Sequence, residues 1–121
     1  MAAKKKLDEF TEAYIEAALW SSIDPDTDLP MDGKYGIEDI SPELMKQIVD
    51  DCSKFQEEHW NDISNDPPGA GHDFWLTRNR HGAGFWDGDW PKSVGERLTE
   101  AAQAYGEQDL YIGDDGLVYA T

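Results

Sequence analysis

At 121 residues, with 26 acidic side chains against 10 lysines and arginines, the chain carries a formal net charge of −16. That length fits one domain spanning residues 1–121 and burying roughly two-thirds of its unfolded surface, and the 12% aromatic share argues against acidic disorder. The charge disfavours direct contact with nucleic acid or anionic membranes and favours basic partners bound in a salt-sensitive way, although acidity also serves plain solubility.

The N-terminal Lys4-Lys5-Lys6 lacks the apolar stretch of an export signal and reads as a flexible, solvated segment. Residues 7–20 follow as a helix, because Leu7, Phe10, Tyr14, Ala17 and Ala18 recur at helical steps. Turn signals at Ser21-Ser22, Asp24-Pro25, Leu29-Pro30 and Asp32-Gly33 make residues 21–36 a long acidic loop. Within it, Asp24-x-Asp26-x-Asp28 has the opening of a calcium loop. The pattern then fails at Leu29, where glycine is needed, and at Tyr35, where a bidentate glutamate belongs.

Ser41-Pro42-Glu43 has the chemistry of a helix start: a cap, a proline at the first helical position and an early acid. The stripe Leu44, Ile48, Cys52, Phe55 and His59 carries this helix to about Trp60. Cys52, the only cysteine, falls on that stripe. It therefore reads as a buried, inert thiol of a protein in a reducing, cytoplasmic compartment. Asn65-Asp66-Pro67-Pro68-Gly69 marks residues 61–71 as a linker.

Beyond the linker, Asp73-Phe74-Trp75-Leu76-Thr77-Arg78 is rich in β-favouring residues. Residues 79–84 look like a glycine-bearing turn, with Phe85-Trp86-Asp87 returning as a second strand. A helix over 91–105 is closed by Gly106, and a second hairpin turns at Asp115-Gly116. The expected architecture is α+β: two N-terminal helices, then hairpin–helix–hairpin forming a four-stranded, mostly antiparallel sheet.

Two sets of residues are candidates for function. Asp24, Asp26, Asp28, Asp50, Asp51, Glu57 and Glu58 form an acidic surface for a basic partner. In the aromatic segment 72–90, Trp75, Arg78, His81 and Trp86 combine anchors and a guanidinium fork, as a peptide- or nucleotide-binding surface would. The same segment is also what a sheet buried on both faces would contain. A metal site from His72, Asp73, His81 and Asp87 matches no established zinc spacing, and an acid–base group of Arg78, His81 and Asp87 is one that any hairpin with these residue types would offer. Neither a phosphate-binding glycine loop nor a Gly-x-Ser-x-Gly or His-Glu-x-x-His motif occurs. The expectation is a protein without catalytic residues, cofactor or bound metal.

The run His72-Asp73-Phe74-Trp75-Leu76-Thr77-Arg78-Asn79-Arg80-His81-Gly82-Ala83-Gly84-Phe85-Trp86-Asp87 resembles the signature of a family of small acidic proteins encoded by tailed bacteriophages and prophages. Phe10-Thr11-Glu12-Ala13-Tyr14, Ile37-Glu38-Asp39-Ile40 and residues 109–116 fit the same family. The resemblance implies an accessory phage protein made in a bacterial cytoplasm, and it brings no catalytic residues with it. In that setting the charge suggests an inhibitor that mimics DNA on a basic nucleic-acid-binding host or anti-phage defence protein.

Overall fold

The computed structural model describes residues 7–81, 83–86 and 90–121. Lys4-Lys5-Lys6 and Asp87 lie outside the described residues. Helix α1 spans Glu9–Ser21, and the side chain of Asp8 caps it by accepting from Thr11 N at 2.8 Å. Strands β1 (Ile23–Asp24) and β2 (Leu29–Pro30) form a small antiparallel hairpin, followed by 3-10 turns at Met31–Gly33 and Ile37–Asp39. Helix α2 runs Pro42–Ile63 from a Ser41 cap, with non-helical dihedrals at His59. Helices α3 (Pro67–Arg78) and α4 (Lys92–Gln103) follow, and strands β3 (Leu110–Ile112) and β4 (Val118–Ala120) close the chain as an antiparallel hairpin.

This overturns the four-stranded sheet. The described residues contain two separate two-stranded sheets, and helix dominates. The first expected hairpin is absent, because residues 72–78 are the second half of α3 and Phe85-Trp86 lies in a turn. Its local cause is at the supposed linker. Asp66 caps a helix by accepting from Gly69 N at 3.1 Å, and Pro67-Pro68 occupies the first turn, where a missing N–H costs nothing. The expected loop over 21–36 likewise contains β1, β2 and both 3-10 turns.

Helix α3 is the centre of the core. Phe74, Trp75, Leu76, Thr77 and Arg78 are consecutive in sequence and all buried. Phe74 stacks on Phe55 of α2 at 4.2 Å, meets Tyr14 of α1 at 5.3 Å and meets the edge of Tyr105, just beyond α4, at 5.0 Å. Such tilted and offset ring pairs add to the burial of large apolar area. The β3–β4 hairpin is tied to the start of α2 by Ser41 N donating to Val118 O at 2.9 Å. Cys52 is fully buried, and that burial pushes its thiol well above the usual range.

Helices α1 and α3 approach closely at Gly71, where a Cβ would run into the carbonyl oxygen of Phe10. Glycine to alanine normally stabilises a helix interior by about 0.5–1 kcal/mol. Here Gly71→Ala is expected to reverse the sign and destabilise by about 1–3 kcal/mol through overpacking. The urea midpoint reads this directly, and a stabilised variant would show that the contact can relax.

Candidate functional site

Arg78 is a structural clasp in this fold. Only 3% exposed, its guanidinium donates from Nη1 to Tyr14 Oη and to Asp51 Oδ2, each at 3.1 Å. It also donates from Nε to Gly106 O at 2.8 Å and from Nη2 to Tyr105 O at 3.0 Å. A buried guanidinium needs such a full set of acceptors, and its planar fork can reach several at once. The fork joins α1, α2, α3 and the turn that follows α4. Burial pushes the Tyr14 phenol up, against the opposing pull of Arg78.

Trp75 is equally interior. It is 2% exposed, donates from Nε1 to Ser21 Oγ at 2.7 Å and meets the edge of Tyr14 at 5.5 Å. His81 is exposed just past α3, its backbone N–H donating to Leu76 O at 3.0 Å. Trp86 is partly exposed beside Phe85, Trp90, Lys92 and Glu96. The four residues therefore do not share one binding face, because two of them are core.

Asp73, Thr77 and Gly84 of the motif also pack inward, whereas Arg80 is exposed. Asp73 accepts from Trp90 Nε1 at 2.8 Å and lies 3.4 Å from His72 Nδ1. Thr77 Oγ1 accepts from Phe85 N at 3.1 Å. Gly84 has φ +150, and a Cβ there would strike Thr77 Oγ1. Among the described residues, no group of three or more His, Cys, Asp or Glu side chains is arranged to hold a metal ion.

The seven carboxylates divide by role. Asp51 serves the Arg78 clasp. Asp24 is buried in β1, where Oδ1 accepts from Asp26 N at 3.0 Å and Oδ2 has no hydrogen-bond partner among the described residues. Asp26, Asp28, Asp50, Glu57 and Glu58 are exposed. Among the described residues no ion pair or side-chain hydrogen bond engages their carboxylates. Asp26 and Asp28 stand at the tip of the β1–β2 hairpin, Asp28 with a positive φ of 62. Asp50, Glu57 and Glu58 are on α2, whose outward face alternates Glu43, Asp50 and Glu57 with Lys46 and Lys54.

Two cavities stand out. A groove of about 600 Å³ runs beside α1, lined by Ile15, Glu16, Ala17, Leu19, Trp20, Asp32, Tyr35, Gly36, Ile37 and His72. Trp20 is more than half exposed there, with its ring 6.0 Å from that of His72. A more polar cleft of about 390 Å³ lies at the His81 turn, between Ser21, Ser22 and Ile23 and residues Glu107, Gln108, Asp109 and Leu110. The groove beside α1 was not expected from the sequence, whereas Trp75 and His81, two of the four residues expected to form a ligand surface, line the second cleft with Asn79. The available signal was charge spacing: residues 7–33 and 98–121, which meet at the second cleft, contain no lysine or arginine.

No protein-family model, curated protein or solved structure matches the chain. Among the described residues, no helix is long and apolar enough to cross a membrane.

Proposed function

We propose that the chain is a non-enzymatic acidic accessory protein of a tailed phage or prophage, acting in the bacterial cytoplasm. It binds and inhibits a basic nucleic-acid-binding protein of the host or of its anti-phage defences. Its carboxylates occupy positions where that protein takes phosphates. The observation that carries this reading is that Asp26 and Asp28 at the β1–β2 tip and Asp50, Glu57 and Glu58 on α2 are exposed and form no ion pair among the described residues, although Lys46 and Lys54 stand among the α2 acids. Free carboxylates on an ordered surface steer a basic partner and are screened by salt. Asp24 and Asp51 are withdrawn from the binding set because the fold uses them internally. The 72–86 motif, on this reading, specifies the core that holds the acidic elements in place.

The test is capture from bacterial lysate at low and high salt, followed by competition with duplex DNA for the captured protein. Capture of a DNA- or RNA-binding protein is expected. It should weaken at least tenfold at high salt and in the variant Asp26→Asn/Asp28→Asn/Asp50→Asn/Glu57→Gln/Glu58→Gln, and duplex DNA should displace it. Capture indifferent to both changes overturns the mimicry.

A further inference from the structure

We propose that the groove beside α1 is a docking site for a basic protein segment, which seats one large apolar side chain among Trp20, Tyr35 and Ile37 and sets flanking lysines or arginines against Glu16 and Asp32. The inference rests on the reading that the partner is a basic protein, and it names the contact that anchors that partner.

Three stretches of chain build the groove: the second half of α1, residues 32–37 and His72 of α3. Ile15, Ala17 and Leu19 are buried beneath it, whereas Trp20, the next residue, is 55% exposed. Tyr35, Ile37 and His72 are half-buried around it. Trp20 is not a stray surface ring. It leans on His72 with ring centroids 6.0 Å apart, so an indole held in place edges an opening of about 600 Å³. Binding pockets typically measure about 300–1,000 Å³ and are mostly apolar with a few polar groups, as this one is. Tryptophan beside such a pocket is the residue type most enriched among those that carry binding energy, because its large ring gives up much water-exposed apolar area on contact.

Charge selects the occupant. Glu16 and Asp32 are exposed and line the groove, and no lysine or arginine does. None occurs anywhere in residues 7–33, the stretch that holds α1 and the β1–β2 hairpin. Neither carboxylate forms an ion pair among the described residues. Lys34, the first cation after that stretch, has its ammonium 5.5 Å from the centre of the Tyr35 ring, so an aromatic face of the groove already accepts a cation at its edge. A second copy of the chain carries the same −16 and is repelled during encounter, as is an anionic ligand. A neutral apolar partner gains no steering, whereas a basic one does. The apolar contact thus supplies the hold, and the carboxylates decide which segment arrives.

The experiment titrates the isotope-labelled full chain with a blocked heptapeptide that has a central phenylalanine, lysine on either side of it and at both ends, and glycine elsewhere. Two matched peptides replace the phenylalanine by alanine or the lysines by glutamine. Shifts are expected to centre on the Trp20 indole and on the amides of Ala17, Gly36, Ile37 and His72. Affinity should fall at least tenfold with the alanine peptide and in Trp20→Ala, a change at an exposed side chain. It should fall severalfold with the glutamine peptide, in Glu16→Gln/Asp32→Asn and at high salt. Trp60→Ala removes a comparably exposed indole on α2 and should leave binding within twofold. Shifts centred elsewhere, or equal binding of either matched peptide, overturn the proposal. So does broadening of the Trp20 and His72 resonances in the free protein that disappears on dilution, which assigns the groove to a second copy. Lysate capture that survives Trp20→Ala, with a silent groove, removes this inference and leaves the broader function standing. A responsive groove without capture of any nucleic-acid-binding protein does the reverse.

Discussion

Replacing Arg78 by alanine is expected to destabilise the protein by about 3–5 kcal/mol, the range for breaking a buried charge pair by removing one partner. The alanine variant loses all four hydrogen bonds of the fork, strands the Tyr105 and Gly106 carbonyls and the Tyr14 hydroxyl, and leaves Asp51 without its cation. Against a typical total of about 5–15 kcal/mol, that loss approaches the margin of folding. Urea unfolding at neutral pH is the measurement. Arg78→Lys separates charge from geometry, since lysine keeps the cation but lacks the planar fork. It should be destabilised too, by less than the alanine variant. The Arg78→Ala/Asp51→Ala double variant should cost less than the sum of the singles, because the two side chains share one network. An Arg78→Ala protein within about 0.5 kcal/mol of wild type, the range for ordinary surface substitutions, would mean the clasp does not form in solution.

The parts of the fold legible in the sequence have a one-sided environment. Helix α1 buries Phe10, Tyr14, Ala17 and Ala18 on one face, so its period stands out. Helix α2 announces itself through the Ser41-Pro42 start and the Leu44–Ile48–Cys52–Phe55 stripe. The β3–β4 hairpin follows from Asp115-Gly116, where Gly116 has φ 81. Helix α3 was illegible because it is buried almost all round. Five successive buried residues leave no amphipathic period, and a short run of Phe, Trp, Leu and Thr is as consistent with a buried strand as with a buried helix. Asp66-Pro67-Pro68 then supplied a breaker signal that the structure uses as a helix start.

The same ambiguity hid the roles of individual residues. An arginine beside aromatic residues reads as a recognition fork when its acceptors are unknown. The acceptors of Arg78 come from residues 14, 51, 105 and 106, which only the fold assembles. Asp51 and Asp50 are neighbours in sequence, yet one faces the clasp and the other faces solvent, because adjacent helix positions diverge by about 100°. The cleft at His81 was half legible: Trp75 and His81 read as ligand-facing, but its other walls come from residues 21–23 and 107–110, far apart in the chain.

Trp75 separates the core reading of the motif from the surface reading most sharply. As an exposed ligand anchor, Trp75→Ala would change stability by no more than about 0.5 kcal/mol. As a core residue it should cost about 3–5 kcal/mol, from lost transfer energy and the cavity left behind. The structure places it 2% exposed against Tyr14, with its indole N–H held by Ser21 Oγ, so the larger loss is expected in urea unfolding. Trp75→Phe retains most of the packing but drops the indole donor, and should fall between wild type and alanine. Ser21→Ala removes only the acceptor for that N–H and should cost about 1–3 kcal/mol, the penalty for leaving a buried donor unsatisfied. Since Ser21 also stands on the wall of the His81 cleft, the Trp75–Ser21 bond ties the interior of α3 to the rim of that cleft. Loosening it should then broaden the amide resonances of Ser21, Ser22 and Gln108 before global unfolding begins.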